Sequence, residues 1–176
     1  MKPIDIIRVT PKDINQLQNI GRQTFYESFA AENSEENMEN YLNHAFSVAK
    51  VTAEISDKNT LIYFAKLEGN VIGYLKLNIG DSQKELQDTN SLEIERIYVL
   101  REFQGRNIGQ LLYEKAIEVA KEKNVDYVWL GVWEKNPRAI KFYQRNGFVA
   151  FDKHIFMLGN DPQTDILMKL KLDNSY

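Results

Sequence analysis

Hydrophobic residues in the first third of the chain recur at the spacing of one short strand followed by amphipathic helices. Residues 4–9 form a β-rich run. Thr10 and Pro11 then mark a helix start, because threonine caps helices well and proline is tolerated at the first helical position. Apolar residues follow at near-helical intervals, and Ser34 opens a second stretch of the same kind. The pattern predicts two helices here and a short third helix over residues 48–55.

The pattern changes to that of β-strands from residue 60 onwards. Residues 60–67 and 71–78 are rich in β-branched and aromatic residues, and the intervening residues 68–70, Glu-Gly-Asn, predict a hairpin. Residues 80–90 are polar and predict a loop. The remaining elements are predicted in chain order: strand 92–99, helix 108–123, strand 127–132, a helix from Asn136-Pro137 to Gly147, and strands 148–154 and 166–172.

This order of elements predicts an α/β domain in which a mixed sheet carries helices on both faces. The chain of 176 residues is long enough to bury a full core and suits a single domain over residues 1–176. Hydrophobic residues make up 43% and charged residues 27%, as in ordinary soluble proteins, and we expect a cytoplasmic location. No apolar run approaches the roughly 20 residues of a membrane helix, so no membrane partner is expected.

Composition also excludes several classes of chemistry. The chain has no cysteine, so disulfides, zinc–thiolate sites and cysteine nucleophiles are ruled out. His44 and His154 stand alone without metal-ligand spacing, so we expect no metal site and interpret both as structural or surface residues. The net charge of −3 argues against non-specific binding of nucleic acid and is compatible with a cationic small substrate.

A candidate phosphate site lies between residues 98 and 109, where a strand, a short loop and a helix follow one another. Such a loop points free backbone N–H groups at one spot, and the helix dipole adds partial positive charge there. Glycines let a ligand approach the backbone, and Arg101 and Arg106 could add charge for phosphate oxygens. On chemistry alone any phosphate-bearing ligand would fit, and a plain strand–helix turn is the alternative.

Residues 104–109, Gln-Gly-Arg-Asn-Ile-Gly, resemble the motif Gln/Arg-x-x-Gly-x-Gly/Ala with which GNAT N-acetyltransferases hold the pyrophosphate of coenzyme A. Asn107 stands where that family usually has glycine. Asparagine is the non-glycine residue most tolerant of a positive φ, so the turn can survive the difference. The segment is neither a Walker loop nor a dinucleotide-binding fingerprint, because the Gly–Lys–Ser/Thr ending and the third glycine are missing.

Residues 136–148 are similar to the second GNAT motif, Asn-x-x-Ala-x-x-Phe/Leu-Tyr-x-x-x-Gly-Phe. In that family the helix packs beside the pantetheine arm and the tyrosine protonates the departing thiolate, a role that the resemblance assigns to Tyr143. A phenol with a reference pKa near ~10 stays protonated at neutral pH, so the chemistry permits this role. Without the resemblance, Tyr143 would be interpreted as a half-buried aromatic residue and Asn136 as a helix cap.

The resemblance covers nearly the whole chain and implies a GNAT fold with a mixed, mostly antiparallel sheet. It also implies acetyl-CoA as co-substrate, without a metal. Because the chain has no cysteine and no Gly-x-Ser-x-Gly elbow, we expect no covalent acyl-enzyme and predict direct acetyl transfer to an amine in a ternary complex. Residues 91–99, 129–136 and 163–165 resemble the PaiA-type spermidine/spermine acetyltransferases and so imply a polyamine acceptor. The residues expected at the cofactor are Ile97, Tyr98, Val99, Gln104, Gly105, Arg106, Asn107, Ile108, Gly109, Gln110, Asn136, Arg138, Lys141 and Tyr143.

Glu93 and Glu95 are the candidate catalytic bases. Strand alternation places both on one face of the strand that leads into the phosphate site, and GNAT enzymes often use a glutamate there. A carboxylate near the thioester could take a proton from the attacking amine, directly or through water. The alternative is that these glutamates only pair with cations such as Arg96.

The resemblance implies that the acceptor amine lies on the first two helices. Carboxylates lie there among aromatic residues, a combination that suits a flexible polycation. A solvated acidic face is the alternative. The residues expected to bind the substrate are Phe25, Tyr26, Phe29, Glu36 and Trp133. Other acceptors (a protein N-terminus, a lysine, an amino acid or an antibiotic amine) stay open, as do a non-catalytic CoA-binding module and a homodimer.

Overall fold

In the computed structural model, which describes residues 2–174, seven strands form one sheet in the spatial order β1-β2-β3-β4-β5-β7-β6. The strands are β1 (Ile4–Arg8), β2 (Thr60–Leu67), β3 (Asn70–Ile79), β4 (Ser91–Val99), β5 (Tyr127–Trp133), β6 (Val149–Leu158) and β7 (Asp161–Lys171). The helices are α1 (Ile14–Phe29), α2 (Glu35–Ala45), α3 (Val48–Ser56), α4 (Ile108–Glu122) and α5 (Pro137–Arg145). Neighbouring strands are antiparallel except β4 and β5, so the prediction of a mixed, mostly antiparallel sheet is confirmed.

Helices cover both faces of the sheet, as predicted. Alternate residues of β2 point to two separate cores, Tyr63 to the one under α4 and Phe64 to the one under α1, α2 and α3. Leu112 of α4 and Val51 of α3 are completely buried in these cores. Each helix thus hides its apolar stripe from water, which is the main favourable term in folding. Among residues 2–174, no helix is both long and apolar enough to cross a lipid bilayer.

Short sequence patterns explain the turn between β2 and β3 and the start of α1. Glu68 (φ 51°) and Gly69 (φ 82°) form the turn between β2 and β3, and two central residues with positive φ match the twist of a hairpin. The predicted hairpin is therefore confirmed. The first α-helix begins later than the Thr10 signal suggested, because residues 11–13 form a 3₁₀ turn. In that turn the Asp13 carboxylate accepts a hydrogen bond of 2.8 Å from the Thr10 N–H.

The last two strands are longer than predicted. β6 and β7 form a hairpin with its turn at Gly159 (φ 62°), so residues 155–158 and 161–165 extend the sheet. β6 is an edge strand exposed along most of its length, so it lacks the polar–apolar alternation that marks a half-buried strand. Pro162 is tolerated because it lies outside the part of β7 that pairs with β5. The predicted boundaries of both strands were wrong for these reasons.

β4 and β5 separate part-way along the sheet. Their parallel pairing runs from Ser91–Tyr127 to Glu93–Trp129 and ends there. The register of β4 against β3 also shifts at Glu95, which has no partner on β3. An extra residue of this kind is a β-bulge, which bends the strand and increases its twist. Beyond Glu93 the two halves of the sheet therefore diverge and leave a cleft between them.

Candidate active site

The divergence of β4 and β5 opens a cleft of about 1260 Å³. Its walls come from β4, β5, the N-terminus of α4 and α5, while α1 and the β6–β7 hairpin close one side. This volume is at or above the upper end of small-molecule sites, so the cleft can hold a cofactor and a second substrate together.

The loop that leads into α4 forms one end of the cleft. Gly105 (φ 79°) and Asn107 (φ 65°) both adopt the left-handed backbone conformation. The prediction that Asn107 keeps the turn is confirmed, since asparagine enters this region more readily than most side chains. The N–H groups of the first turn of α4 have no partner within the helix and lie at its positive end. Beside Gly109 the space that a side chain would occupy is open, so a ligand can approach the backbone.

Gln104 joins this loop to two neighbouring elements. Its Nε2 atom donates to the carbonyl oxygen of Val99 at 3.1 Å, and its Oε1 atom accepts from Nη1 of Arg138 at 2.6 Å. Arg138 lies in the first turn of α5, so this contact brings a guanidinium to the loop. Backbone N–H groups at a helix N-terminus together with a guanidinium suit a phosphate group. The residues present therefore fit the pyrophosphate of coenzyme A.

Two predicted cofactor residues lie outside the lining of this cleft. The guanidinium of Arg106 lies over the ring of Phe103, 5.2 Å from the ring centroid. Lys141 lies beside a smaller hollow of about 440 Å³ on α5. The predicted cofactor residues that line the cleft are Ile97, Tyr98, Val99, Gln104, Gly105, Asn107, Ile108, Gly109, Gln110, Asn136, Arg138 and Tyr143.

Tyr143 forms part of the cleft wall contributed by α5 and is 6% exposed. Its ring packs against Phe142 and Phe148, with centroid distances of 5.3 and 5.6 Å. Burial raises the pKa of Tyr143 above its ordinary value, so the phenol stays protonated across the neutral range. Asn136 caps this helix as predicted, and its side-chain oxygen accepts a hydrogen bond of 3.1 Å from the Ala139 N–H.

Glu93 and Glu95 lie on one face of β4, as strand alternation predicted. Nδ2 of Asn78 donates to Oε2 of Glu93 at 3.2 Å and to Oε2 of Glu95 at 2.9 Å. Two lysines form ion pairs with Glu95: Nζ of Lys76 is 2.6 Å from its Oε2 atom, and Nζ of Lys84 is 3.9 Å from its Oε1 atom. Arg96, the partner that the sequence suggested, instead lies with its guanidinium 4.6 Å from the centroid of the Phe46 ring.

The two carboxyl groups differ strongly in proton affinity. Burial and the nearby charge of Glu95 raise the pKa of Glu93 to about 7, against the opposing effect of its hydrogen bonds. Burial also acts to raise the pKa of Glu95, but the charges of Lys76 and Arg96 outweigh it, and the pKa falls to about 2. Glu93 can therefore exchange a proton near neutral pH, whereas Glu95 is a fixed negative charge.

Aromatic rings line the half of the cleft next to α1. Phe25 stacks on Phe29 with a centroid distance of 4.4 Å, and Phe29 lies 5.2 Å from Trp133. These three predicted substrate residues belong to the cleft wall. Tyr26, which is 55% exposed, and Glu36 lie outside the lining.

Charged residues from the 80–90 loop and the β6–β7 hairpin line the same half of the cleft, a role that was not predicted from the sequence. His154, interpreted above as structural or surface, lies at the cleft with its Nε2 atom 2.9 Å from Oε1 of Glu85. Asp165 lies opposite His154 in the register of β6 and β7, and burial raises the pKa of Asp165 to about 6 although the charge of His154 opposes the shift. The one sequence signal for this cluster was the resemblance of residues 163–165, which include Asp165. The position of Asp165 opposite His154 depends on the pairing of β6 with β7.

Known proteins share this sequence pattern and fold. The model of the acetyltransferase (GNAT) family matches residues 14–148. The chain is 42% identical over 172 residues to an uncharacterized N-acetyltransferase in the pepI 3′ region of Lactobacillus delbrueckii subsp. lactis, with 98% of this chain and 99% of that protein covered. It is 28% identical over 153 residues to the spermidine N(1)-acetyltransferase of Thermoplasma acidophilum, which covers 85% of this chain and 90% of that protein. The crystal structure of a PaiA N-acetyltransferase from Thermoplasma acidophilum in complex with coenzyme A superposes with a TM-score of 0.81 at 26% identity, covering 97% and 99% of the two chains.

Proposed function

Because the chain belongs to the acetyltransferase (GNAT) family and is an N-acetyltransferase of that type, we propose that it transfers the acetyl group of acetyl-CoA to a small polyamine such as spermidine. The observation that carries the polyamine assignment is the match to a spermidine N(1)-acetyltransferase over 85% of this chain. The cleft supports the assignment, because it presents carboxylates and aromatic rings to a cation. The carboxylates that line it are Glu27, Glu32, Glu85, Glu93, Glu95 and Asp165.

The donor is proposed to lie with its pyrophosphate at residues 104–109 and its pantetheine arm between β4 and β5. The similarity to a GNAT structure in complex with coenzyme A supports this placement. The backbone groups of Ile97 and Val99 lie on the edge of β4 that β5 leaves unpaired, so they can hydrogen-bond the amides of the arm. Bound acetyl-CoA supplies the thioester carbonyl carbon that the amine attacks.

Glu93 is proposed as the general base. An aliphatic ammonium resembles that of lysine, with a pKa near ~10.4, so most of the acceptor must lose a proton before it attacks. The Glu93 carboxyl group has a pKa of about 7, and its Oε2 atom accepts hydrogen bonds from Nδ2 of Asn78 and from the Lys84 N–H. Oε1 is therefore the atom proposed to take the proton, directly or through a water molecule. Glu95 is proposed to stay ionised throughout, since it is committed to Lys76.

Tyr143 is proposed as the general acid. Glu93 takes the ammonium proton before the attack. As the new C–N bond then forms and the thioester C–S bond breaks, the Tyr143 proton passes to the departing sulfur and the nitrogen releases its second proton to water. The products are the N-acetylated amine and coenzyme A with a free thiol. Burial disfavours the phenolate, so Tyr143 regains its proton from water, and Glu93 releases its own to water, before the next turnover.

An amine panel tests the proposed function. The purified protein is incubated with acetyl-CoA and with spermidine, spermine, butylamine or a lysine peptide, and the released thiol is measured. Both polyamines are expected to exceed butylamine in kcat/KM by about tenfold or more, because a second ammonium can engage a second carboxylate. A lysine peptide or butylamine that outperforms both polyamines would overturn the acceptor assignment and leave the acetyltransferase family standing. Acetyl-CoA binding without thiol release from any amine would instead indicate a non-catalytic CoA-binding module.

A further inference from the structure

Four buried polar side chains on β2, β3 and β4 form a network of contacts that includes the proposed base. Thr60, Lys76, Asn78 and Glu93 are each 4% exposed or less. A buried polar group is costly unless its hydrogen bonds are satisfied, and a charged group costs more still. The proposed chemistry uses Glu93 but none of the other three, so their burial requires a separate reason.

Asn78 lies at the centre of this chain of contacts. Its Oδ1 atom accepts a hydrogen bond of 3.1 Å from the Thr60 hydroxyl, which also lies 3.2 Å from Oδ2 of Asp57, and this contact sets the amide with its Nδ2 atom toward β4. Nδ2 carries two hydrogens, and one donates to Glu95 while the other donates to Glu93. A single side chain therefore holds both carboxylates of β4 in place.

Glu95 is also held by a buried ion pair, at the same Oε2 atom that accepts from Asn78. Nζ of Lys76 lies 2.6 Å from Oε2 of Glu95 and 2.9 Å from Oε1 of Glu54, which belongs to α3. Breaking such a pair would leave an uncompensated buried charge, which is strongly unfavourable. Glu95 therefore stays in place as a negative charge next to Glu93, at the β-bulge where β4 bends away from β5.

We propose that Asn78 and the ion-paired Glu95 are positioning residues for Glu93: Asn78 fixes the orientation of its carboxylate, and Glu95 supplies a fixed negative charge that favours uptake of a proton. This inference rests on the proposed role of Glu93 as the base. The two effects oppose each other, because the Asn78 hydrogen bond lowers the pKa of Glu93 and the Glu95 charge raises it. Lys84 also acts on Glu93, and the charged groups acting on Glu95 include Lys76, Arg96 and Lys84.

The opposite signs provide the test. In the full chain, carboxyl ¹³C NMR follows the titration of Glu93 without requiring acetyl transfer, and the pH profile of kcat/KM follows its role in turnover. Asn78→Ala is expected to move the NMR midpoint and the acidic limb of the profile to higher pH, and to lower kcat by about 10- to 100-fold through lost orientation. Glu95→Gln is expected to move both to lower pH, while Lys76 keeps Glu54 as its partner.

Two further variants keep the test decisive. Thr60→Val removes the hydroxyl that orients Asn78, so the Glu93 midpoint is expected to move to higher pH, by less than in Asn78→Ala. This variant provides the test if Asn78→Ala does not fold. Thr24→Val is the matched control, because Thr24 is a 1% exposed polar residue on α1 outside this network, and it should leave the midpoint unmoved.

Shifts in the same direction for Asn78→Ala and Glu95→Gln, or no shift in either, would overturn the positioning roles. Loss of turnover in Glu95→Gln as complete as in Glu93→Gln would also overturn them, because Glu95 would then be the base. Turnover retained in Glu93→Gln would show that Glu93 is not the base. This failure of the proposed function is distinguishable from failure of the positioning roles, because the NMR midpoints report on the contacts of Glu93 without any turnover.

Discussion

Glu93 on β4 and Trp129 on β5 are the last pair of residues through which these two strands stay in parallel register. The indole Nε1 of Trp129 donates to Oε1 of Gln83 at 2.7 Å, and the N–H of the next residue, Lys84, donates to Glu93 at 3.0 Å. One loop segment is thus attached to both members of the pair. The proposed base therefore lies at the apex of the cleft, where paired strands and a fixed loop restrain its position.

The first prediction concerns the proposed acid. Tyr143→Phe keeps the buried ring but removes the proton donor, so we expect kcat to fall by roughly 10²- to 10⁴-fold with little change in coenzyme A affinity or thermal stability. Tyr113→Phe is the control, because Tyr113 is also buried but lies outside the cleft lining, and it should retain turnover. Steady-state kinetics, calorimetry and thermal unfolding check the three expectations. Wild-type turnover in Tyr143→Phe, with chemistry rate-limiting, would show that another group protonates the thiolate.

The two motif segments could be predicted from sequence because their geometry is set locally. The left-handed turn at Asn107 and the cap at Asn136 depend on residues a few positions away, so a short pattern contains the information needed. The different proton affinities of Glu93 and Glu95 could not be predicted in this way. They follow from the burial of Glu93 and from the charge of Lys76 on β3, which the sheet brings next to Glu95, and nothing in the spacing of the two glutamates distinguishes them.

The residues of the acceptor half of the cleft could not all be predicted from the sequence either. His154 and Glu85 are far apart in the sequence and meet because the β6–β7 hairpin extends to the cleft. The hairpin itself was missed beyond residue 154, since an exposed edge strand has no hydrophobic period to detect. A cluster of this kind becomes visible once strand lengths and pairings are known.

The second prediction separates two arginines near the phosphate loop. Arg138→Gln is expected to weaken coenzyme A binding by about 1–3 kcal/mol, because Arg138 lines the cleft and contacts Gln104. Arg106→Gln is the matched control, and a smaller loss is expected because its guanidinium lies over Phe103 outside the lining. Calorimetric titration of both variants with coenzyme A measures the difference. Equal losses, or a larger loss for Arg106→Gln, would place Arg106 at the pyrophosphate instead.

The third prediction is a pH dependence of stability. The pKa of Glu93 rises from 4.5 to about 7 on folding, so the folded state binds this proton more tightly than the unfolded state does. The resulting stabilisation is complete below about pH 4.5 and is lost as the pH rises through about 7. Glu93→Gln cannot ionise, so its stability relative to wild type should increase by up to about 3 kcal/mol between pH 4 and pH 8.

Urea unfolding of both proteins at the two pH values measures this difference directly. The comparison cancels the contributions of other titrating groups, including Asp165, whose raised pKa of about 6 acts in the same direction in both proteins. Glu122→Gln, which changes an exposed carboxylate on α4, is the control and should show no such trend. A stability difference that stays constant with pH would mean that the pKa of Glu93 is not raised in the folded protein.

The last prediction concerns the charge of the acceptor. Polyamines carry several ammonium groups, and ion pairs in an open cleft are screened by salt, so KM for spermidine should rise with ionic strength more steeply than KM for butylamine.

Asp165→Asn should raise KM for spermidine several-fold at low salt and leave KM for butylamine nearly unchanged, because it removes a carboxylate that lines the acceptor half of the cleft. The control Asp152→Asn changes an exposed carboxylate of β6 outside the lining and should change neither value. The measurement is KM and kcat for both amines at two salt concentrations above pH 7, where Asp165, with a pKa of about 6, is ionised. Parallel salt dependence for the two amines, together with an unchanged spermidine KM in Asp165→Asn, would argue that the cleft recognises one ammonium group and that the acceptor is a monoamine.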